Sequence, residues 1–137
     1  MEIIITKGKG RNILTCKRFD GSYTSKNLGP SFPDHDIAHY VVEKKFNLKK
    51  GFYGQIKSGI SISQLSDKDI IKTLGPEAWL AEIMTRNLQS INSGGALMEQ
   101  YIDLVKWELK NFKTSSKKQY WEINQKFETT HVFIEDI

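Results

Sequence analysis

The N-terminal part of the chain contains three extended stretches separated by glycine-bearing turns, a pattern that restricts this region to antiparallel β structure. The first stretch, Glu2 to Thr6, is rich in β-branched residues, and the connection Lys7 to Gly10 leads into a longer stretch from Arg11 to Phe19. Asp20-Gly21 separates that stretch from Ser22 to Ser25, and Asp-Gly is a strong signal for a two-residue hairpin turn because both positions favour positive φ. The sequence therefore predicts a small antiparallel meander.

A helix with a marked start signal follows the loop from Lys26 to Phe32. Ser31 to Asp34 provides an N-cap hydroxyl, a proline in the first turn and an early acidic side chain, which together predict a helix from Pro33 to Asn47. The helical period places a set of apolar side chains on one arc that faces the core, and it places His35 and His39 at the edge of that arc. The set comprises Ala38, Val41, Val42 and Phe46.

Three more helices are predicted further along the chain, separated by glycine-containing turns. A short helix starts at Ser66 to Asp69 and ends at Leu74, and a second helix runs from Glu77 to Ile91. The third and longest helix runs from Ala96 to Phe112, with Leu97 and Met98 in its apolar stripe. Trp107 lies away from that stripe, so it either packs against another surface or stays exposed.

The C-terminal part of the chain returns to an extended pattern. Apolar and polar residues alternate from Trp121 to Phe127, which favours a strand although a helix also fits residues 119–128, and a further strand is predicted from His131 to Ile134. Strands, then helices, then strands predict an α+β fold. Its mainly antiparallel sheet, formed by the N-terminal meander plus the C-terminal strands, is covered by three to four helices. With 137 residues and no linker or repeat, the chain is expected to form one globular domain over residues 1–137.

The composition limits the classes of protein to which the chain can belong. No apolar run approaches the roughly 18 residues that a membrane span requires, and the N-terminus lacks the pattern of a secretory signal. Cys16, the single cysteine, allows neither an internal disulfide nor a cysteine-based zinc site, and we expect it to be a buried thiol. These features favour a cytoplasmic protein that does not associate with a membrane.

Charge is distributed unevenly along the chain. Residues 1–57 hold eleven basic and five acidic residues, whereas residues 58–137 hold nine basic and eleven acidic ones. The basic residues occur in separate short groups and are not interleaved with aromatic side chains, as they are in many nucleic-acid-binding elements. Nucleic acid is therefore not the expected partner, and the positive charge is interpreted mainly as a contribution to solvation.

The densest group of metal-binding and proton-transferring residues lies in the predicted helix from Pro33 to Asn47. His35 and His39 are four residues apart, so their rings lie one turn apart on the same face and can bind a single divalent ion such as zinc. The same histidine spacing occurs in the His-Glu-x-x-His motif of zinc proteases. Asp36 takes the place of the glutamate and is therefore the candidate catalytic base. Its side chain is one methylene shorter, so it would lie farther from a metal-bound water.

Two histidines do not complete a metal site, so a third ligand is required from elsewhere in the chain. Glu43 lies two turns from His35, which is too far for both to reach one ion easily on a straight helix. Glu43 is better placed as a carboxylate that hydrogen-bonds His39 and orients its ring. The sequence offers several candidates for the third ligand: Glu82, Glu99, His131, Glu135 and Asp136.

The same stretch carries a resemblance to a known family. His-Asp-x-x-His-Tyr-x-x-Glu, from His35 to Glu43, is followed by Gly-Phe-Tyr-Gly at Gly51 to Gly54. From His35 to Gly59 the chain resembles a small, uncharacterised family of bacterial proteins in which a His-Asp-x-x-His-aromatic-x-x-Glu helix precedes Gly-Phe-aromatic-Gly. That family has no established activity. The resemblance implies a bacterial cytoplasmic protein with a shared helix-and-turn unit, and it assigns no reaction.

Two functional hypotheses from different classes follow. In the first, the chain binds a divalent metal through His35 and His39, and hydrolase-like activity is compatible with that site. In the second, the chain is a non-catalytic interaction module or homodimer in which the histidine helix is structural. Phe52, Tyr53 and Trp107 would then contact the partner. As an alternative to that role, the same aromatic side chains could belong to the core.

Overall fold

The computed structural model describes residues 1–111 together with Phe127. The chain begins with three antiparallel strands, β1 (Glu2–Gly8), β2 (Arg11–Lys17) and β3 (Tyr23–Gly29), which form one sheet in the order β1-β2-β3. Six α-helices follow within the described residues: α1 (Asp34–Lys45), α2 (Phe52–Lys57), α3 (Ile62–Leu65), α4 (Lys68–Ile71), α5 (Pro76–Asn92) and α6 (Tyr101–Lys110). This order of elements confirms the predicted α+β class.

The described part of the chain contains more helices than the predicted three to four because several are short, and α3 and α4 have four residues each. The strands predicted from Trp121 to Phe127 and from His131 to Ile134 lie outside the described residues, apart from Phe127. Phe127 itself is helical and fully buried, so the predicted strand is wrong at this one described position. Among the described residues, no helix is both long enough and apolar enough to cross a membrane.

The second hairpin turn of the sheet is longer than predicted. After Lys17 the strand ladder ends, and five residues form the turn where Asp20-Gly21 predicted two. The guanidinium of Arg18, the first residue of this turn, points away from the sheet and toward the helical layer. It donates hydrogen bonds to the carbonyl oxygens of Ile56 and Ile60, at 2.7 and 3.2 Å. The turn is therefore shaped by a contact with the helical layer as well as by its own glycine.

The third strand also extends farther than predicted, because residues 26–29 continue β3 where the composition indicated a loop. Among the strands of the described residues, β3 is at the edge and pairs with β2 alone. Its side chains alternate between exposed and partly buried positions over most of its length. Thr24 faces the helical layer, where its hydroxyl accepts a hydrogen bond from the backbone N–H of Ile62. Polar residues on the other face are compatible with a strand because that face is open to water.

The longest described helix is α5, with 17 residues, and the predicted helix from Ala96 to Phe112 is wrong in its first part. A 3-10 turn over Met98–Gln100 precedes α6, and Leu97 has extended backbone with φ −91° and ψ 150°. The side-chain oxygen of Gln100 accepts a hydrogen bond from the N–H of Leu97 at 2.9 Å and so fixes the start of the turn. Leu97 and Met98, predicted to lie in the core stripe, are exposed as a result.

Two hydrophobic clusters stabilise the packed layers. The first, which we name the sheet cluster, joins β2 to α2 and α3 and contains Leu14, Cys16, Tyr53, Ile56, Ile62 and Leu65. The second, the helix cluster, lies between α1, α5 and α6 and includes Val42, Leu80, Ile83, Met84, Val105, Leu109 and Phe127. Cys16 is fully buried as predicted, and burial raises the pKa of its thiol to about 11.

Helix α1 packs against both α5 and α2, and this decides which of its residues are buried. The buried positions are Ala38, His39, Val42 and Glu43. Val41, predicted to face the core, is 48% exposed, whereas His39, predicted at the edge of the apolar arc, is only 2% exposed. Because α1 packs on two sides, the face that it buries is rotated away from its most apolar arc, and two polar residues, His39 and Glu43, lie inside.

Candidate metal centre

Three potential metal ligands meet where α1 packs against α5. His35 and His39 lie one turn apart on α1, with ring centroids 4.7 Å apart, and Glu82 reaches them from α5. Nε2 of His39 is 2.7 Å from one carboxylate oxygen of Glu82, and Nε2 of His35 is 3.8 Å from the other. One donor atom from each residue lies within 4.8 Å of the other two. We refer to these three residues as the triad. Within residues 1–111 and Phe127, it is the one such group of histidine, cysteine or acidic side chains.

Glu82 is the one of the five candidate third ligands that the described fold brings to both histidines. Glu99 lies in the exposed 3-10 turn before α6 and is not part of this group. The remaining candidates, His131, Glu135 and Asp136, lie outside the described residues. The sequence did carry a signal for Glu82, because it is an acidic residue among the buried apolar positions of α5. A charged side chain in such surroundings requires a partner.

Glu43 holds one side of the triad in place. Its carboxylate accepts a hydrogen bond from Nδ1 of His39 at 2.8 Å and from the backbone N–H groups of Phe52 and Tyr53, both at 2.9 Å. These N–H groups open α2, so the same carboxylate also caps that helix. With its Nδ1 proton directed at Glu43, His39 presents Nε2 to Glu82. The predicted contact between Glu43 and His39 is therefore present in the structure.

Gly51 and Gly54 allow α2 to pack closely against the loop before it and against α1. A Cβ atom on Gly51 would lie 2.5 Å from Cδ of Glu43, and a Cβ atom on Gly54 would lie 1.9 Å from the carbonyl oxygen of Lys49. Both distances are shorter than any van der Waals contact, so even alanine at either position would force atoms apart. The two glycines of the Gly-Phe-Tyr-Gly motif are thus explained by close packing, of Gly51 against the Glu43 carboxylate and of Gly54 against the backbone of Lys49.

His35 is held from the solvent side. Its Nδ1 lies 2.6 Å from the side-chain oxygen of Gln89 on α5, and the Gln89 amide donates in turn to Asp34 at 3.3 Å. Because an amide oxygen only accepts hydrogen bonds, Nδ1 of His35 donates to Gln89, and Nε2 faces Glu82. The side chain of His35 is 43% exposed, against 3% for His39.

The two carboxylates that flank His39 determine its protonation. Burial by itself lowers the pKa of His39, but hydrogen bonds to Glu43 and Glu82, together with their negative charges, outweigh burial and raise the pKa to about 9. For Glu82, burial raises the pKa, and the hydrogen bond and charge of His39 lower it below its ordinary value. Without a metal at neutral pH, His39 is therefore an imidazolium that donates to both carboxylates.

A pocket of about 280 Å³ opens onto the triad. Asp36, the predicted catalytic base, lines this pocket together with His35, His39 and Glu82. Burial raises the pKa of the Asp36 carboxyl group, and the charges of the neighbouring histidines offset this only in part. A carboxyl group with a raised pKa beside candidate metal ligands is well suited to accept and return a proton.

The three predicted interface aromatics lie in different environments. Tyr53 is buried in the sheet cluster, and its hydroxyl donates to the carbonyl oxygen of Asp36 at 2.8 Å. Phe52 packs against His39, with ring centroids 5.0 Å apart, and lines the pocket. Trp107 on α6 is 66% exposed. The contacts of Phe52 and Tyr53 support the core alternative, and of the three rings only that of Trp107 faces solvent.

No protein-family model, curated protein or solved structure gives a match to this chain. The chemistry of the triad and of its pocket is therefore the basis for the function proposed below.

Proposed function

We propose that the protein binds one divalent transition-metal ion, zinc in the first instance, through Nε2 of His35, Nε2 of His39 and a carboxylate oxygen of Glu82. The observation that carries this proposal is the convergence of three donor atoms within 4.8 Å, while the other nitrogen of each ring is hydrogen-bonded to a protein oxygen. Ligand atoms at about 2.0–2.1 Å from a tetrahedral zinc ion lie roughly 3.4 Å apart, so small side-chain rotations would close the site.

The donor set favours an open metal site. Two imidazoles and one carboxylate are a combination that zinc uses in catalytic centres, where a water or substrate takes the fourth position. Structural zinc sites are closed by four protein ligands and rely heavily on cysteine, whereas Cys16 lies in the sheet cluster. The pocket at the triad offers a fourth ligand a route from solvent.

Metal binding at the triad would compete with a proton. In the metal-free protein, the proton on Nε2 of His39 lies in the hydrogen bond to Glu82, at the place that a metal ion would take. The carboxylates of Glu43 and Glu82 would then balance the ion in place of the imidazolium. We therefore expect release of about one proton per ion bound, and weaker binding at acidic pH.

Hydrolysis is the reaction class that we propose for the site. A zinc ion held by three protein ligands lowers the pKa of a coordinated water to about 7. Asp36 would accept a proton from that water, because its carboxyl group lines the same pocket and burial raises its pKa.

Asp36→Asn should therefore abolish hydrolysis of a p-nitrophenyl ester without reducing the metal content. Unchanged hydrolysis in this variant would contradict the role of Asp36.

The first experiment is elemental analysis of the untagged protein purified without chelator. Glu82→Gln removes a charged ligand with little change of shape, and Glu99→Gln is the same substitution at an exposed position outside the triad. We expect about one zinc, iron or manganese ion per chain in the wild type and in Glu99→Gln. A large loss is expected in Glu82→Gln and in the double variant His35→Ala, His39→Ala.

Circular dichroism of each variant shows whether the loss of metal is separate from a loss of fold. The absence of metal from every protein, together with an unchanged melting temperature after zinc is added to the wild type, would contradict the proposal.

A second candidate function is protein interaction through the surface around α6. The exposed ring of Trp107 favours it, as do the exposed side chains of Leu97 and Met98 before that helix. A homodimer or a different protein partner would cover such side chains. Sedimentation of the wild type and of Trp107→Ala over a range of concentrations tests the homodimer, and a wild-type monomer at high concentration would count against it.

A further inference from the structure

The pocket beside the triad combines a polar end with an apolar wall. The polar end is formed by the triad and Asp36. The wall is formed by side chains from β3 and from the helical layer, which include Leu28, Phe52, Ile62, Leu65, Leu74 and Ala78. A ligand that covers such a wall gains binding energy by removing apolar surface from water, while the polar end fixes its orientation.

Two lysines also line the pocket and give it a positive bias. Lys26 lies on β3, and Lys68 opens α4. Lys26 shares the pocket with Asp36, and its ammonium group donates a hydrogen bond to the hydroxyl of Ser66, which lines the same pocket. With a divalent ion on the triad, the ion and the two lysines carry four positive charges. Three negative charges oppose them, on Asp36 and Glu82 in the pocket and on Glu43, which lies behind His39 outside the pocket lining. One positive charge is left in excess, which a monoanionic ligand would neutralise.

The size of the pocket limits the ligand to a small molecule. An apolar cavity of about 150 Å³ accepts benzene, so about 280 Å³ accommodates a ligand of roughly twice that size. Pockets for drug-sized ligands start at about 300 Å³. A fatty acid with roughly eight carbon atoms matches this volume, whereas a folded partner or a long polymer does not.

We propose that the pocket binds a small amphiphilic carboxylate of this kind, and this proposal rests on the metal site proposed above. One carboxylate oxygen takes the open position on the metal ion, and Lys26 and Lys68 supply the compensating charge. The alkyl chain covers the wall formed by Leu28, Leu65 and Ala78. The metal ion and the two lysines select for the carboxylate group of the ligand, and the apolar wall selects for its alkyl chain.

Isothermal titration of the zinc-loaded full chain with sodium octanoate tests this proposal. Butyrate has the same carboxylate with a chain too short to cover the wall, and octylamine has the same chain with the opposite charge. We expect octanoate to bind at least about tenfold more tightly than either compound. Equal affinity for octanoate and butyrate would overturn the proposal.

Two variants test the two parts of the pocket separately. Ala78→Phe fills the space beside the apolar wall, and the double variant Lys26→Gln, Lys68→Gln removes both cations. Lys9→Gln, in the turn between β1 and β2, is the matched control outside the pocket. We expect either pocket variant to weaken octanoate binding at least about tenfold with unchanged zinc content, and Lys9→Gln to have no effect. The lysine variant keeps the test informative if Ala78→Phe fails to fold.

Elemental analysis of the same samples distinguishes this proposal from the proposed function. If zinc is bound at one ion per chain and octanoate binding is unaffected by both pocket variants, the ligand proposal fails and the metal site stands. If zinc is not retained by the wild type, the metal site fails, and the ligand proposal, which depends on it, fails with it.

Discussion

The two histidines of the triad are held by different kinds of structure. On the inner side, His39 is almost fully buried and hydrogen-bonded to Glu43, which is itself fixed by the backbone of the glycine turn at residues 51–54. On the outer side, His35 is nearly half exposed and is held by the surface amide of Gln89. The difference indicates that the inner side fixes the position of the site, whereas the outer side leaves it open to exchange with solvent.

The largest expected effect comes from disturbing the inner side through Gly54→Ala. The added Cβ would lie 1.9 Å from the carbonyl oxygen of Lys49, so α2 must shift relative to the loop before it. That shift would displace the N–H groups of Phe52 and Tyr53 that bind Glu43. We expect the free energy of unfolding, measured in urea, to fall by about 4 kcal/mol. Gly10→Ala is the control, because its φ of 66° is strained but nothing lies within 4 Å of the new atom. It should cost only about 1 kcal/mol, and equal losses would disprove close packing at Gly54.

Glu43→Gln should be the next most damaging change. The carboxylate accepts three N–H groups, whereas an amide has one accepting oxygen and turns its NH₂ toward another donor. We expect a loss of about 3 kcal/mol in stability and a zinc affinity reduced about 10–100-fold, measured by competition with a fluorescent chelator. Glu99→Gln should change neither quantity. A wild-type zinc affinity in Glu43→Gln would show that this carboxylate does not orient His39 for metal binding.

The free energy of unfolding of the metal-free protein should also depend on pH, because His39 on the inner side of the triad titrates. The folded-state pKa of His39, about 9, lies above its ordinary value of 6.5. Its stabilising contribution is therefore fully present below pH 6.5 and is lost as the pH rises through 9. In the presence of chelator, we expect the free energy of unfolding to fall by on the order of 2 kcal/mol across that range.

His39→Gln should remove most of this slope, because glutamine does not titrate. Measurements should stop near pH 9, since Cys16, with a pKa of about 11 in the folded state against 9.0 ordinarily, adds its own dependence above that point. A wild-type stability that stays flat between pH 6.5 and 9 would contradict the description of His39 as an imidazolium that donates to Glu43 and Glu82 in the metal-free protein.

The smallest effect on stability is expected on the outer side. His35→Ala removes an exposed ring and should change the free energy of unfolding by no more than about 0.5 kcal/mol. The zinc affinity should nevertheless fall by more than about 100-fold, because a ligand is lost and not merely reoriented. Calorimetry without metal and chelator competition with metal measure the two quantities. A stability loss as large as that of His39→Ala would show that the two sides do not differ.

Local signals in the sequence were sufficient to predict the helix that carries the histidines. The helix begins at Asp34, one residue after its predicted start, and the spacing of its two histidines involves residues that are close together in the chain. The predicted hydroxyl cap is wrong, because Pro33 is the N-cap residue and no side chain caps the helix from that position. The second hairpin turn was predicted at the right place but with the wrong length. Arg18 in this turn contacts carbonyl groups 38 and 42 positions away, and a local pattern holds no information about such contacts.

The site, like the fold, was predictable only where its contacts join residues that are close together in the chain. The contact between His39 and Glu43 follows from their spacing on one helix, whereas the choice of Glu82 over the other candidates depends on how α1 and α5 pack. The burial of His39 was missed for a related reason. The apolar arc of α1 points to Val41, but packing against both α5 and α2 places His39 inside and leaves Val41 in water.

The carboxylate of Glu43 occupies the volume that a side chain on Gly51 would need. In evolutionary terms these two positions are coupled, because a descendant that keeps the glutamate must also keep the glycine. Once a shorter residue replaces Glu43, alanine becomes acceptable at position 51, and His39 loses the group that orients it. We therefore expect the three residues to be inherited together or lost together. Their joint presence would identify a distant relative with the same site even where the rest of the chain has diverged.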